Sequence, residues 1–578
     1  MNDSFNGRVF VLLVVLLMTG GVLTSCSTGS PDSNQSSQSR TLTLSSIAPP
    51  KSFNPVTAKE TSTTQITNLM FSTLTEVDGV TGEVEPGLAV EWKSRKGGRV
   101  WEFTLREGLR WSDGEPLTAQ DVVFTFDRLH LNPEVNSSAR HSLQVEGSSP
   151  RVESLSETRV RFTYPDPYAP FPRAANMVQI MPEHVLKQYV EDGTFNSVWG
   201  VDTDPDSFVV NGPFELSEYQ TAQRVVLTRN KRFYKKDENG DRLPRLDKIR
   251  FEVVKNRDIA MQKFIKGDLD ILSVQAKNLP NIEPKESKGA FTIHKVGPSL
   301  GTTLLSFNMN TDTNPETGKT YIPEYKLSWF NDSAFRRAVS YGIARQEIIN
   351  IVMNGQGSPL YGPVSPANKP FFNENIKKYP HDPERARQIL EENGYVDRNG
   401  DGVREGPDGN RLKFVLNTNS GNDQRVEMTE IIRQDLDNLG MDVSFSQLEF
   451  NTLTTKLNST YDWEAIVIGF TGSLDPHFGS NLWLSSGDLH LWHPRQSEPH
   501  RKWEARIDKI FTQAVKETNR DRRRTLYNRW QRIVSENQPV VFTVKPELIY
   551  AVRDRLKNVN PTPIGGYSHN IEKIGVKD

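Results

Sequence analysis

The stretch whose reading decides the fold is Trp101-Glu-Phe-Thr-Leu-Arg-Glu-Gly-Leu-Arg-Trp-Ser-Asp-Gly-Glu-Pro-Leu-Thr-Ala-Gln-Asp-Val-Val-Phe-Thr-Phe-Asp-Arg128. Its aromatic and β-branched start predicts a strand. Asp113 and Gly114 supply turn chemistry, since aspartate bonds its own backbone and glycine accepts a positive φ. Thr118 then stands where a side-chain oxygen caps a helix. The whole run is strand, turn and helix, and it contains no catalytic group.

Working outward, the same alternation continues from Thr41 onwards as mixed α/β structure, without internal repeats. Asp382 with Pro383 after it predicts a helix start, and Gly394 closes the helix carrying Ala386, Ile389 and Leu390. A second helix is expected over residues 333–353, with Phe335, Ala338, Val339 and Ile343 on one stripe and Gly355 as its stop. A third is expected over 426–439, ending at Gly440. Beyond it Met441, Val443 and Phe445 alternate with Asp442, Ser444 and Ser446 as a half-buried strand.

The chain has 578 residues, more than one hydrophobic core of roughly 250–300 residues organises, so at least two domains are expected. Hydrophobic residues are 35% and charged residues 25%, and the formal net charge is −2. That balance gives no electrostatic reason for a nucleic-acid partner.

The long apolar run, residues 9–18, is shorter than the roughly 20 residues of a membrane span and reads as the core of a signal peptide. Leu23-Thr-Ser-Cys26 follows and resembles a lipoprotein signal. A diacylglyceryl group would alkylate the Cys26 thiol, and cleavage would leave Cys26 first in the mature chain, anchored by its acyl chains. The alternative is an ordinary cleaved signal with an incidental cysteine. Residues 27–39, rich in Ser, Gln, Asn, Gly and Pro, read as a tether too polar to fold. Cys26 is the single cysteine, so once lipidated it leaves no thiol for disulfides or catalysis.

Several local motifs invite chemical readings. Gly297-Pro-Ser299-Leu-Gly301 has the G-x-S-x-G spacing of a nucleophile elbow, but the elbow requires a helix after the serine, and Thr302 to Asn308 reads as a strand. Asp397, Asn399, Asp401 and Asp408 reproduce part of a calcium loop, although the same residues build a solvated turn. His477, His490, His493 and His500 fall close together, yet zinc wants three or four ligands in a definite geometry and Pro494 breaks the local helix. They read as surface or cleft histidines. No cofactor is expected.

The opening stretch, with Gly87-Leu-Ala-Val-Glu-Trp92 before it, resembles the signature of the oligopeptide and dipeptide class of ABC-importer solute-binding proteins. Further matches run in family order: Asn211-Gly-Pro-Phe, Leu227-Thr-Arg-Asn-Lys-Arg-Phe-Tyr, Phe335-Arg-Arg-Ala-Val-Ser-Tyr-Gly-Ile-Ala-Arg, Asp382-Pro-Glu-Arg-Ala and Leu526-Tyr-Asn-Arg-Trp-Gln-Arg-Ile-Val. The resemblance implies an α/β, two-lobed periplasmic-binding-protein fold, class II-like, with an extra domain inserted in the first lobe. Its parts would be signal peptide 1–25, lipidated cysteine and tether 26–40, first lobe 41–85 and 208–300, insert 86–207, second lobe 301–539, and a return to the first lobe over 540–578.

It implies further that the protein is not an enzyme. It would be a monomer held to the envelope by its lipid, closing its lobes on a peptide ligand and serving an ABC permease and ATPase. Gly469-Phe-Thr-Gly-Ser-Leu-Asp475-Pro matches the family loop that offers an aspartate to a peptide's amino group, with Phe470 where the family usually has tryptophan. Capping of its own loop is the other reading of Asp475. Thr61, Ser62 and Thr63 fall at the family's edge segment that bonds a ligand backbone by strand addition. The same scaffold carries opines, metal chelates or oligosaccharides in other members. A secreted hydrolase would need a nucleophile and base that the sequence lacks, and a receptor or chaperone would lack neighbouring permease genes.

Overall fold

The computed structural model describes residues 40–577. The signal peptide, Cys26 and the tether lie outside the described residues, and among those described no helix is long and apolar enough to cross a membrane.

Four main sheets carry the chain. One has the strand order Thr41–Ser46, Lys248–Val253, Arg224–Arg229, Phe214–Gln220, its first pair parallel and the others antiparallel. A second puts Val544–Arg553 between Ile271–Ser273 and Phe291–Pro298. The third runs Asp442–Leu448, Lys413–Asn419, Ala465–Phe470, Thr302–Phe307, Val540–Phe542, parallel across its first three strands. Its middle strand reads Ala-Ile-Val-Ile with all four side chains buried, the continuous apolar pattern of a strand covered on both faces. The fourth is an antiparallel meander, Ala89–Arg95, Val100–Leu105, Arg159–Thr163, Arg151–Ser156.

These sheets organise separate cores. The meander packs an aromatic cluster in which Phe162 meets Phe126 at 4.8 Å and Phe171 at 4.7 Å between ring centroids. Such tilted and edge-on pairs contribute about 0.5–1.5 kcal/mol each beyond area burial. Thr118 caps Ala119–Val123 as expected, and Asp121 answers by accepting from the Thr118 N–H. The Asp442–Leu448 sheet holds the largest core, which includes Phe307, Phe330, Phe335, Phe414 and Trp492.

Three elements differ from the sequence reading. The helix expected over 333–353 is two helices, Ser333–Gly342 and Arg345–Val352. Ile343 between them is extended, and the Ala344 N–H donates to the buried Asp435 carboxylate instead of continuing the helix. Thr61, Ser62 and Thr63, placed on an extended edge, open the helix Thr61–Met70; the Thr63 hydroxyl is buried and accepts from the Lys51 N–H. The chain's return begins later than residue 540, because Val540–Phe542 still pairs with Thr302–Phe307 and only Val544–Arg553 enters the other sheet.

That return is one of two adjacent crossings, the other joining Phe291–Pro298 to Thr302–Phe307. Lys545 sits between them, 1% exposed, with its ammonium donating to the Gly301 carbonyl. Burial pushes its pKa down to about 7. Elsewhere the meander segment meets the helices Lys502–Lys516 and Arg520–Asn537. Val515 enters the aromatic core, and its carbonyl accepts from the Ala169 N–H at 2.8 Å.

Candidate functional site

A cavity of about 230 Å³ opens where the strand Ala465–Phe470 ends. Leu300, Thr302, Phe470, Ser473, Trp483 and Trp530 are among its walls. The loop after Phe470 can lie there because Gly472 has no side chain: a Cβ would stand 2.0 Å from the Leu300 carbonyl oxygen. Trp483 and Trp530 meet edge-on at 5.1 Å, so one wall is a rigid aromatic surface.

The polar groups in this wall are few and placed. Asn368 is 2% exposed and donates through Nδ2 to the Ser473 and Leu474 carbonyls at 3.2 and 3.1 Å. Those two bonds assign its amide orientation. They leave Asn368 Oδ1 buried with no hydrogen-bond partner among the described residues, and Trp530 Nε1 is in the same condition. The cavity wall therefore combines one unsatisfied acceptor and one unsatisfied donor. Each costs about 1–3 kcal/mol while unpaired.

Asp475 lies just beyond the loop, 2% exposed. Its two oxygens take a bidentate pair from Arg523, Nη1 to Oδ2 at 2.5 Å and Nη2 to Oδ1 at 2.7 Å, and Oδ1 also caps the His477 N–H. Burial alone would raise the carboxyl's pKa, but the Arg523 charge and bonds outweigh it and hold Asp475 below the ordinary carboxylate range. The same pairing outweighs burial at Arg523 and raises its pKa. Arg523 donates to the Ala514 carbonyl at 2.8 Å and stacks over the Tyr527 ring at 5.2 Å.

This pair stands at the seam with the meander segment. The Tyr168 ring meets His477 edge-on at 5.7 Å, Lys516 pairs with Glu146 at 3.1 Å and Asp166 at 3.6 Å, and Arg520 pairs with Glu83. Burial lowers the His477 pKa to about 4, against the pull of Asp475.

Of the residues singled out in the sequence, Phe470 lines the cavity, Asp475 stands behind the loop, and Thr61 to Thr63 belong to a helix in the other lobe. The Asp397 loop closes on itself. Asp397 accepts from the Gly400 and Gly402 N–H groups, Asp401 from Val403, and Asp408 from the Trp329 indole at 3.2 Å. Asn368, Trp483, Trp530 and Arg523 were not anticipated. Trp530 and Arg523 carried a signal: with Tyr527 they recur at helical spacing, which puts them on one face of Arg520–Asn537.

Comparison with known proteins gives a consistent picture. The model for the middle region of bacterial extracellular solute-binding proteins, family 5, matches residues 83–490. The oligopeptide-binding protein AppA of Bacillus subtilis is 25% identical over 583 residues, spanning 97% of this chain and 98% of AppA. The structure of that protein in complex with a nonapeptide superposes with a TM-score of 0.70 at 24% identity, covering 93% of this chain and 99% of its own. NikA from Brucella suis, solved with Fe(III)-EDTA, superposes at 0.76 with 20% identity over 93% of this chain and all of NikA. The architecture of these neighbours is two-lobed, and so is that of this chain.

Proposed function

Because this chain belongs to the family 5 bacterial extracellular solute-binding proteins, we propose that it captures oligopeptides between its lobes and delivers them to an ABC permease, tethered to the cell envelope by lipid on Cys26. The observation that carries the peptide reading is the pair of unsatisfied groups in the cavity wall, Asn368 Oδ1 and Trp530 Nε1. A peptide unit offers an N–H and a C=O, the one donor and one acceptor those atoms lack. The aromatic wall beside them accepts apolar side chains with little discrimination. As a binding protein the molecule takes up and releases ligand without making or breaking bonds.

In this reading Asp475 reaches a ligand's amino group only by exchanging Arg523 for it. A buried ammonium needs such a partner, but the existing bidentate pair is already geometrically matched.

Calorimetry with a panel of oligopeptides, oligosaccharides and metal chelates tests the assignment. Peptides are expected to bind, and Asn368→Leu is expected to weaken them roughly 10- to 100-fold, the cost of leaving a buried ligand N–H unpaired. Heat from a sugar or chelate alone would replace the peptide by that solute. For the anchor, labelled palmitate is expected in the wild type and absent from Cys26→Ser; equal labelling of both removes the lipid from the proposal.

A further inference from the structure

The second lobe carries a group of side chains that the ligand cavity does not use. Asp312 follows the strand Thr302–Phe307, and His493 and His500 lie on the loop before Lys502–Lys516. One ligand atom from each of the three falls within 4.8 Å of the other two. His493 Nε2 is 3.0 Å from Asp312 Oδ2, His500 Nε2 is 3.9 Å from Asp312 Oδ1, and the two imidazole rings are 4.3 Å apart. Zinc bonds of about 2.0–2.1 Å place tetrahedral ligand atoms about 3.3 Å from one another, so the His493–Asp312 separation already fits, and the exposed His500 has to move inward to complete the set.

The independent sign of a ligand is His493 itself. Its side chain is 0% exposed, its Nε2 meets only the Asp312 carboxylate, and its Nδ1 has no hydrogen-bond partner among the described residues. A buried ring nitrogen left without a partner costs stability. His500 is oriented from behind, because its Nδ1 meets the Thr311 hydroxyl at 3.2 Å and its Nε2 is left facing the other two groups. A second partner of this kind sets the tautomer and direction of metal-bound histidines.

Both supporting segments are held before any ion arrives. The Met309 N–H donates to the Trp492 carbonyl at 2.8 Å, and the Asp312 N–H donates to Asn310. Glu504 accepts from the Trp492 indole at 2.9 Å and from Arg501 at 2.7 Å, which pairs the Arg501 guanidinium with a carboxylate. Asp312 and His500 are 46% and 40% exposed, so the site opens to solvent on one side.

We propose that Asp312, His493 and His500 form a site for a late first-row divalent ion, zinc foremost, with water completing the coordination. Two imidazoles and one carboxylate are a borderline donor set that suits zinc and its neighbours, whereas calcium and magnesium take oxygen alone. The ion would fasten the 485–501 loop to the end of the strand Thr302–Phe307. That loop also carries Leu489, a cavity wall residue, and Trp492, which meets Trp483 at 5.9 Å. Metal occupancy therefore stiffens one wall of the ligand cavity from outside.

The test uses tag-free protein stripped with chelator and titrated with zinc by calorimetry, and with cobalt(II) by visible absorption. The expected result is one saturable equivalent per chain, tetrahedral cobalt bands, and a Tm that climbs with free zinc by mass action. His500→Ala and Asp312→Asn change exposed side chains and are expected to keep the metal-free Tm while losing at least about 100-fold in zinc affinity, more than a supporting partner alone costs. Absence of saturable binding, or equal affinity in both variants, overturns the site. A Tm that follows pH but ignores zinc and chelator does the same, leaving only an Asp312 and His493 ion pair.

Discussion

Arg523 and Lys545 are both cations buried where the lobes meet, and they are treated in opposite ways. Arg523, in the seam, has a bidentate carboxylate, a backbone carbonyl and an aromatic ring around it. Lys545, at the crossing, has the Gly301 carbonyl and no carboxylate in contact among the described residues. Burial is the largest influence on each and lowers both pKa values; at Arg523 the Asp475 charge reverses the outcome, while at Lys545 nothing opposes it. A buried charge is costly until it is paired, and the partner decides the sign. The seam is thus fastened in one protonation state, and the crossing carries a cation whose pKa burial pulls down to about 7.

Removing one member of the seam pair has the largest expected effect. Asp475→Ala leaves Arg523 buried without a counter-charge, and urea unfolding at pH 7 is expected to record a loss of about 3–5 kcal/mol. Asp475→Ala combined with Arg523→Met is expected to recover much of it, since the uncompensated charge goes too. Because the folded pKa of Asp475 is depressed, its contribution is complete above the unfolded carboxylate range and disappears as pH falls through the lower folded value. Unchanged unfolding of the single variant would show that the pair fastens nothing.

Lys545→Met is expected to act in the other direction. Between pH 7 and about 10.5 the unfolded chain holds a proton on Lys545 that the folded chain gives up. The wild type therefore gains stability as pH rises through that window, and below pH 7 the full penalty stands. Methionine removes it, raising stability at pH 6 by on the order of a few kcal/mol and flattening the rise toward pH 10. A parallel pH profile in wild type and variant would mean that water reaches the ammonium.

The smallest expected change is at the seam's rim. Lys516 pairs with Glu146 and Asp166 but is 31% exposed, and Lys516→Ala is expected to cost less than about 1 kcal/mol, shrinking further in salt. A loss comparable with Asp475→Ala would move the seam's energy from its buried pair to its surface.

Much of the fold was legible because its signals are local. Thr118 caps its helix through groups two and three residues away, and Asp382 with Pro383 starts another the same way. The 333–353 stripe was read correctly as helical but not its interruption, which depends on Asp435, 91 residues distant. Thr61 to Thr63 open a helix and not an extended edge for a related reason: short polar residues suit either, and the helix buries Ile66, Leu69 and Met70 in the first lobe's core.

Sequence alone determined the family, the mixed α/β architecture and the position of the 469–476 loop, because strand, turn and cap chemistry act within a few residues and the motifs that carry them are contiguous. Only the tertiary structure decided what the loop's groups do. Arg523 stands 48 residues from Asp475, and Asn368 stands 105 residues from Ser473. Asp312 and His493 come from separate elements of the second lobe. Such pairings leave no periodic trace in the chain, because each depends on which faces of distant elements are buried together, and that is settled by packing of the whole core.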